Sequence, residues 1–326
     1  MKVFITKKIP QIGLTLLEEA GCELVQYTAP ENLLQEELIA TSRRCDALLV
    51  GSPGAVKIDK HFLEQCSNLK VISLMAVGYD VVDVAEATRL KMPIGNTPEV
   101  LSLATADTAF LLMLAVSRKA FYQYKNILDG KWKTFEPTAN LGFQLDNKTL
   151  GIFGLGKIGY EMAKRCKSAF NMKIIYHNRS ANNQAEKELG ATRVSFDELL
   201  NQSDVLSVHT ALTPETKGIF NKNIFAKMKP ASIFINTSRG AVHNETDLKE
   251  ALEKGIIWGA GLDVTNPEPM QPDNSLLVMS NVCILPHIGS ATVEARNGMA
   301  RIAAENVIAG LQGKRLPHCV NPEIYC

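Results

Sequence analysis

Short apolar runs alternate with longer amphipathic stretches over nearly the whole chain. That alternation is the signature of βα units and of a parallel sheet covered on both faces, so the fold class is α/β. In the first third, Val3-Phe4-Ile5, Leu24-Val25, Ala47-Leu48-Leu49-Val50 and Val71-Ile72-Ser73-Leu74 predict strands, with helices over Leu14 to Ala20 and Leu33 to Thr41 between them. Pro93-Ile94-Gly95-Asn96-Thr97-Pro98 then interrupts with two prolines and is a candidate hinge. A second series follows: Thr149 to Phe153, Lys173 to Tyr176, Val205 to Val208, Ser232 to Ile235, Gly261 to Val264 and Val282 to Leu285. Six strands match a complete doubly wound nucleotide-binding sheet. Beyond Pro286, Ala295, Met299, Ile302, Ala303 and Asn306 recur at helical spacing and predict one long helix, Ala291 to Leu311, returning to the first domain.

Composition narrows the partners. The chain has 326 residues, 46% of them hydrophobic, which fits a globular protein of about two domains and excludes intrinsic disorder. With 35 Lys+Arg against 34 Asp+Glu the net charge is +1. No global field gathers nucleic acid or an anionic membrane, so a small-molecule partner is expected. The seven cysteines form no CxxC and no Cys/His cluster, and the six histidines form no HxH or HExxH, so reduced thiols in a cytoplasmic protein without a metal are expected. The apolar start breaks after Val3-Phe4-Ile5, and the run Ala109 to Val116 is far below the ~20 residues that cross a bilayer, so neither export nor a membrane span is expected.

Two regions carry chemistry. The loop Gly154-Leu155-Gly156-Lys157-Ile158-Gly159 is a GxGxxG between an apolar strand and a helical stretch. In that setting the glycines permit a tight turn, a close main-chain approach to a pyrophosphate, and close helix packing, with the diphosphate at the helix N-terminus. The acid that normally accepts the ribose 2′-hydroxyl of NAD is missing from the next strand end, which reads His177-Asn178-Arg179-Ser180. Arg179 can pair with a 2′-phosphate while Asn178 and Ser180 donate hydrogen bonds, so NADPH is expected over NADH, although Arg179 also reads as a solvated loop residue. Farther along, Arg239, Glu268 and His287 each follow a strand of the second series. Carboxyl ends of a parallel sheet are where such folds bind ligands. A guanidinium can hold a carboxylate beside a carbonyl, an imidazolium can deliver a proton, and a carboxylate can orient that imidazolium. Singly, each also reads as a surface or capping residue.

In order and spacing, the glycine loop, Ser238-Arg239-Gly240, Gly261-Leu262-Asp263-Val264, Pro267-Glu268-Pro269 and His287-Ile288-Gly289-Ser290 resemble the D-isomer-specific 2-hydroxyacid dehydrogenase family. Val77-Gly78, Asn96-Thr97-Pro98 and the stretches around Arg239 and His287 are most similar to its glyoxylate/hydroxypyruvate reductase branch. The resemblance implies a Rossmann-type nucleotide domain, residues 99–291, inserted in a flavodoxin-like substrate domain made of 1–98 and 292–326, in a homodimer. It implies Arg239 for the 2-oxo acid, His287 as acid/base and Glu268 as its partner. Asp263 would take the nicotinamide carboxamide, Thr237 and Gly289 would line the cofactor, and Ser290 would approach the substrate. The main chain of Val77 and Gly78 would receive the substrate carboxylate, as a glycine after a strand exposes N–H groups to an anion. The expected activity is NADPH-dependent reduction of glyoxylate or hydroxypyruvate, with D-lactate, 2-ketogluconate or phosphite oxidoreduction and a non-enzymatic nucleotide-sensing corepressor as alternatives. Thr138-Ala139-Asn140 stands where the animal branch carries a tryptophan, implying a roomier pocket, and no C-terminal regulatory domain is expected.

Overall fold

The computed structural model of the chain describes residues 1–51 and 56–326. They divide into two compact units, Met1–Leu101 with Ala291–Cys326, and Ser102–Ser290. The first unit opens with β1 (Lys2–Ile5), α1 (Gln11–Glu19), β2 (Glu23–Gln26), α2 (Gln35–Ser42), β3 (Ala47–Val50), α3 (Lys60–Gln65), β4 (Val71–Leu74), α4 (Val84–Arg89) and β5 (Ile94–Gly95). All five strands are parallel, in the order β2-β1-β3-β4-β5. β3 and β4 are buried at every position, as strands covered on both faces must be. Ile94-Gly95, read above as part of a hinge, is instead a short edge strand paired with Ile72 and Ser73. Pro93 and Pro98 flank this strand and do not enter it, so no ladder hydrogen bond is lost to proline.

The second unit runs through α5 (Ser102–Ser117), α6 (Ala120–Leu128), β6 (Thr149–Phe153), α7 (Lys157–Phe170), β7 (Lys173–His177), α8 (Asn183–Leu189), β8 (Thr192–Arg193), α9 (Phe196–Gln202), β9 (Val205–Val208), α10 (Lys222–Phe225), β10 (Ile233–Asn236), α11 (Glu245–Glu253), β11 (Gly259–Leu262) and β12 (Val282–Ile284). Its seven strands are all parallel, in the order β12-β11-β10-β9-β6-β7-β8. The order reverses beside β6, the switch point at which doubly wound sheets bind ligands. β8 is the strand the pattern did not predict: two exposed residues carry no periodicity to read. Two apolar layers cover the sheet, one built around Leu112, Met113, Met162 and Tyr176, the other around Phe220, Phe225 and Phe234.

After Ser290 the chain re-enters the first unit as α12 (Val293–Leu311), capped by the Thr292 hydroxyl, which accepts from the Ala295 amide at 3.2 Å. The helix packs on α1, β3 and β4. Asn306 is fully buried in it because its amide is paired at both its nitrogen and its oxygen, donating to the Asn96 carbonyl and accepting from the His318 amide, both at 3.0 Å.

Candidate active site

The carboxyl ends of β6, β9, β10, β11 and β12 lie along one edge of the second unit's sheet, because every strand runs the same way. The glycine loop leaves β6 there. Gly154 has φ +95°, and a Cβ on it would meet the His209 and Thr210 main chain at 2.9 Å, so glycine is required twice over. Gly156 caps α7 without any side chain, and a Cβ there would meet nothing within 4 Å. The cradle is therefore open where a pyrophosphate has to approach, at the first turn of a 14-residue helix with no acid in that turn. These features fit a dinucleotide. Leu155 points into the core and its main chain is engaged: its N–H donates to Asn178 Oδ1 at 2.7 Å and its carbonyl accepts from Asn182 Nδ2 at 2.9 Å.

Three strand ends along this edge assemble the polar residues. At the end of β10, buried Asn236 organises the turn: Oδ1 accepts from the Ser238 amide at 2.9 Å, while Nδ2 donates to the Arg239 carbonyl at 2.9 Å and to His243 Nδ1 at 3.0 Å. After β11, Asp263 is 1% exposed and accepts from the Ile288 and Gly289 amides at 2.8 and 2.7 Å. Burial pushes its carboxyl above the usual range, and those two amides pull it back. The clamp holds His287 at φ +55°, a conformation rare for a side-chain-bearing residue. Glu268 Oε1 then lies 2.5 Å from His287 Nδ1. Burial pushes the Glu268 carboxyl up, but the His287 hydrogen bond and charge, the Thr265 amide and the Arg239 charge outweigh it and hold Glu268 below its ordinary range. Arg239, Glu268 and His287 are thus one electrostatic group. It is tied to the glycine loop through His209, whose main chain abuts Gly154 and whose Nδ1 lies 3.4 Å from Thr237 Oγ1.

Residues 110–289 match the model of the D-isomer specific 2-hydroxyacid dehydrogenase NAD binding domain. The chain belongs to the D-isomer specific 2-hydroxyacid dehydrogenase family. This dehydrogenase is similar over 99% of its length to the glyoxylate reductase of Thermococcus litoralis, at 44% identity and 97% of that protein. Among solved structures it is similar to the TT0316 protein of Thermus thermophilus, with a TM-score of 0.90, 38% identity and coverage of 98% of this chain and all of that one. It is also similar to an NADPH-dependent glyoxylate/hydroxypyruvate reductase of Sinorhizobium meliloti in complex with NADP and malonate, with a TM-score of 0.83, 30% identity and coverage of 98% and 97%. It is an NAD(P)-dependent oxidoreductase, and its second unit holds the nicotinamide cofactor.

The dehydrogenase spends several side chains differently from their sequence reading. Asn178, expected to face a 2′-phosphate, is turned onto Leu155 with both its oxygen and its nitrogen. His177 lies flat on Phe153, ring centroids 5.8 Å apart, and its Nδ1–H donates to the Val194 carbonyl at 3.1 Å. Arg179 and Ser180 are exposed at the loop tip. Thr237 is nearly buried against His209, and Gly289 sits on the Asp263 carboxylate. Sequence reading missed Asn236, His209 and His243, which hold the site from beneath. Desolvation takes both imidazoles down to about 4, so they are neutral struts. Asn236, next to Thr237-Ser238, offered the one local signal, an Asx-type turn. In the first unit, Val77 and Gly78 follow β4, with the Val77 carbonyl accepting from Asn96 Nδ2 at 2.9 Å. Among the described residues no group of three or more His, Cys, Asp or Glu is placed to hold a metal, and no helix is long and apolar enough to cross a membrane.

Proposed function

We propose that this dehydrogenase reduces small 2-oxo acids, glyoxylate to glycolate and hydroxypyruvate to D-glycerate, and prefers NADPH to NADH. The observation that carries the reading is the His287–Glu268 contact of 2.5 Å within the field of Arg239, on the sheet edge that also carries the open glycine cradle. The names of the relatives support the substrates, and the replacement of a carboxylate by His177-Asn178-Arg179-Ser180 at the end of β7 supports NADPH.

Bound cofactor supplies the hydride that adds to the carbonyl carbon. Arg239 holds the acid by its carboxylate and draws electron density onto the carbonyl oxygen. Glu268, ionised throughout the neutral range, fixes His287 through Nδ1, which leaves Nε2 to give its proton to that oxygen. Solvent returns the proton after product leaves. Asp263 sets the turn that carries His287 and would take a nicotinamide carboxamide, while Thr237, Gly289 and the Lys157-Ile158 turn would line the cofactor. In this reading Ser290 approaches the substrate, and the first unit is the substrate domain. A cytoplasmic homodimer completes the reading on the family resemblance.

The test is a steady-state matrix of glyoxylate, hydroxypyruvate, pyruvate and 2-ketogluconate against NADPH and NADH. The highest kcat/KM is expected for one of the first two acids with NADPH; a best rate on pyruvate or 2-ketogluconate overturns the substrate reading. His287→Gln should lower kcat on the order of 10²–10⁴-fold and leave dinucleotide affinity intact. Comparable loss of that affinity would make His287 structural.

A further inference from the structure

The edge strand β8 brings a second guanidinium to the end of β7. Tyr176 and Arg193 are register partners, and Val194 continues the ladder by donating to the Tyr176 carbonyl at 2.9 Å. From there Arg193 folds over the loop that follows β7. Its Nε and Nη2 donate to the Asn178 carbonyl at 3.2 and 2.9 Å, and Nη2 also donates to the Arg179 carbonyl at 2.7 Å. The remaining nitrogen, Nη1, makes no hydrogen bond or ion pair among the described residues. Arg179, whose own carbonyl is held in this way, is exposed at the same tip.

Neither arginine forms an ion pair with a carboxylate among the described residues. Arg179 reaches acid only at a distance: the Glu215 carboxyl is held below its ordinary range first by the Thr213 hydroxyl and, more weakly, by the Arg179 charge. Two guanidinium groups tethered to one short loop without a paired anion repel each other, and a dianion between them removes that repulsion. A phosphate monoester carries about −1.5 to −2 at neutral pH and offers three acceptor oxygens, whereas a ribose hydroxyl offers no charge.

We propose that Arg193 is a specificity-determining residue that, with Arg179, binds the 2′-phosphate of NADPH, taking the place that sequence reading gave to Asn178. The inference rests on the NADPH preference proposed above. The main-chain contacts hold the Arg193 guanidinium against the loop that carries Arg179, so that engaging a phosphate there avoids much of the entropy cost of ordering a free arginine. For NADH the same fork has nothing to bind.

Calorimetric titration of the full chain with 2′,5′-ADP and with 5′-AMP reads the phosphate separately from turnover. Arg193→Gln should weaken 2′,5′-ADP about tenfold, the worth of one charge-assisted hydrogen bond at an exposed site, and leave 5′-AMP unchanged within about twofold. Arg193→Lys, which keeps the charge but not the fork, should fall between the two. The ratio of kcat/KM for NADPH over NADH should drop in parallel, with unchanged melting temperature. Equal weakening of both nucleotides would make Arg193 a loop support only, and unaltered 2′,5′-ADP affinity would remove it from the site; either overturns the inference. A wild-type protein that does not distinguish the two nucleotides overturns the cofactor reading itself, a result separable from any behaviour of the variants.

Discussion

His243 offers a pH-linked test of how the Arg239 turn is held. The imidazole is 2% exposed, its Nδ1 accepts from Asn236 Nδ2, and its edge meets the Phe234 ring, with centroids 5.8 Å apart. Burial lowers its pKa from 6.5 to about 4. In the unfolded chain it binds a proton as pH falls below 6.5, while the folded form stays neutral until about 4. Stability is therefore fully present above pH 6.5 and is lost progressively as pH falls toward 4, below which the loss levels off. One differential proton is worth about 1.4 kcal/mol per pH unit, so the window removes at most roughly 3.5 kcal/mol. His243→Gln keeps an acceptor for Asn236 and abolishes the titration. Both tryptophans, Trp132 and Trp258, lie in the second unit, and Trp132 is 72% exposed, so fluorescence during urea unfolding follows the surroundings of Trp258. Measured from pH 7 down to 4.5, the wild-type free energy should fall more steeply than the variant's by about one proton. His209 contributes a slope of the same sign to both proteins and cancels in the comparison. Identical slopes would mean that His243 is not kept neutral by the fold. The site is coupled to this titration, because the second N–H of the Asn236 amide holds the Arg239 carbonyl.

Two further substitutions separate the fold from the function. Gly154→Ala places a methyl 2.9 Å from the His209 and Thr210 main chain at φ +95° and should cost on the order of 1–3 kcal/mol, while Gly156→Ala, with no protein atom within 4 Å, should unfold almost like wild type yet bind NADPH at least about tenfold more weakly in a fluorescence titration. Undiminished binding by Gly156→Ala would mean that no ligand approaches the cradle. Asp263→Asn turns an amide group toward one of the two N–H donors it now accepts, so unfolding free energy should drop by about 1.5–3 kcal/mol and kcat should fall with it as the His287 turn relaxes. Wild-type values for both would release Asp263 from that role.

The strands and the chemical residues were legible because each is announced locally. Ala47–Val50, Val71–Leu74, Thr149–Phe153 and Val205–Val208 are observed at the bounds their apolar runs predict, since a strand covered on both faces has to be apolar at nearly every position. The glycine spacing and the polar residues behind strand ends are equally local marks, and they singled out Arg239, Glu268 and His287 as candidates, which the fold brings into one electrostatic group. Tertiary structure decided what distant residues do to each other. β8 and Ile94–Gly95 are too short to carry a period and exist only because a neighbouring strand supplies their hydrogen bonds. Asn178 faces inward because the Leu155 main chain, 23 residues earlier, needs partners, and Arg193 crosses 14 residues to reach the Arg179 carbonyl. The left-handed backbone of His287 depends on a carboxylate 25 residues before Ile288. A sequence displays the periodicity that burial imposes on neighbouring positions; hydrogen bonds across strand ends satisfy individual buried groups once, with no period, and so they are fixed only when the sheet has closed.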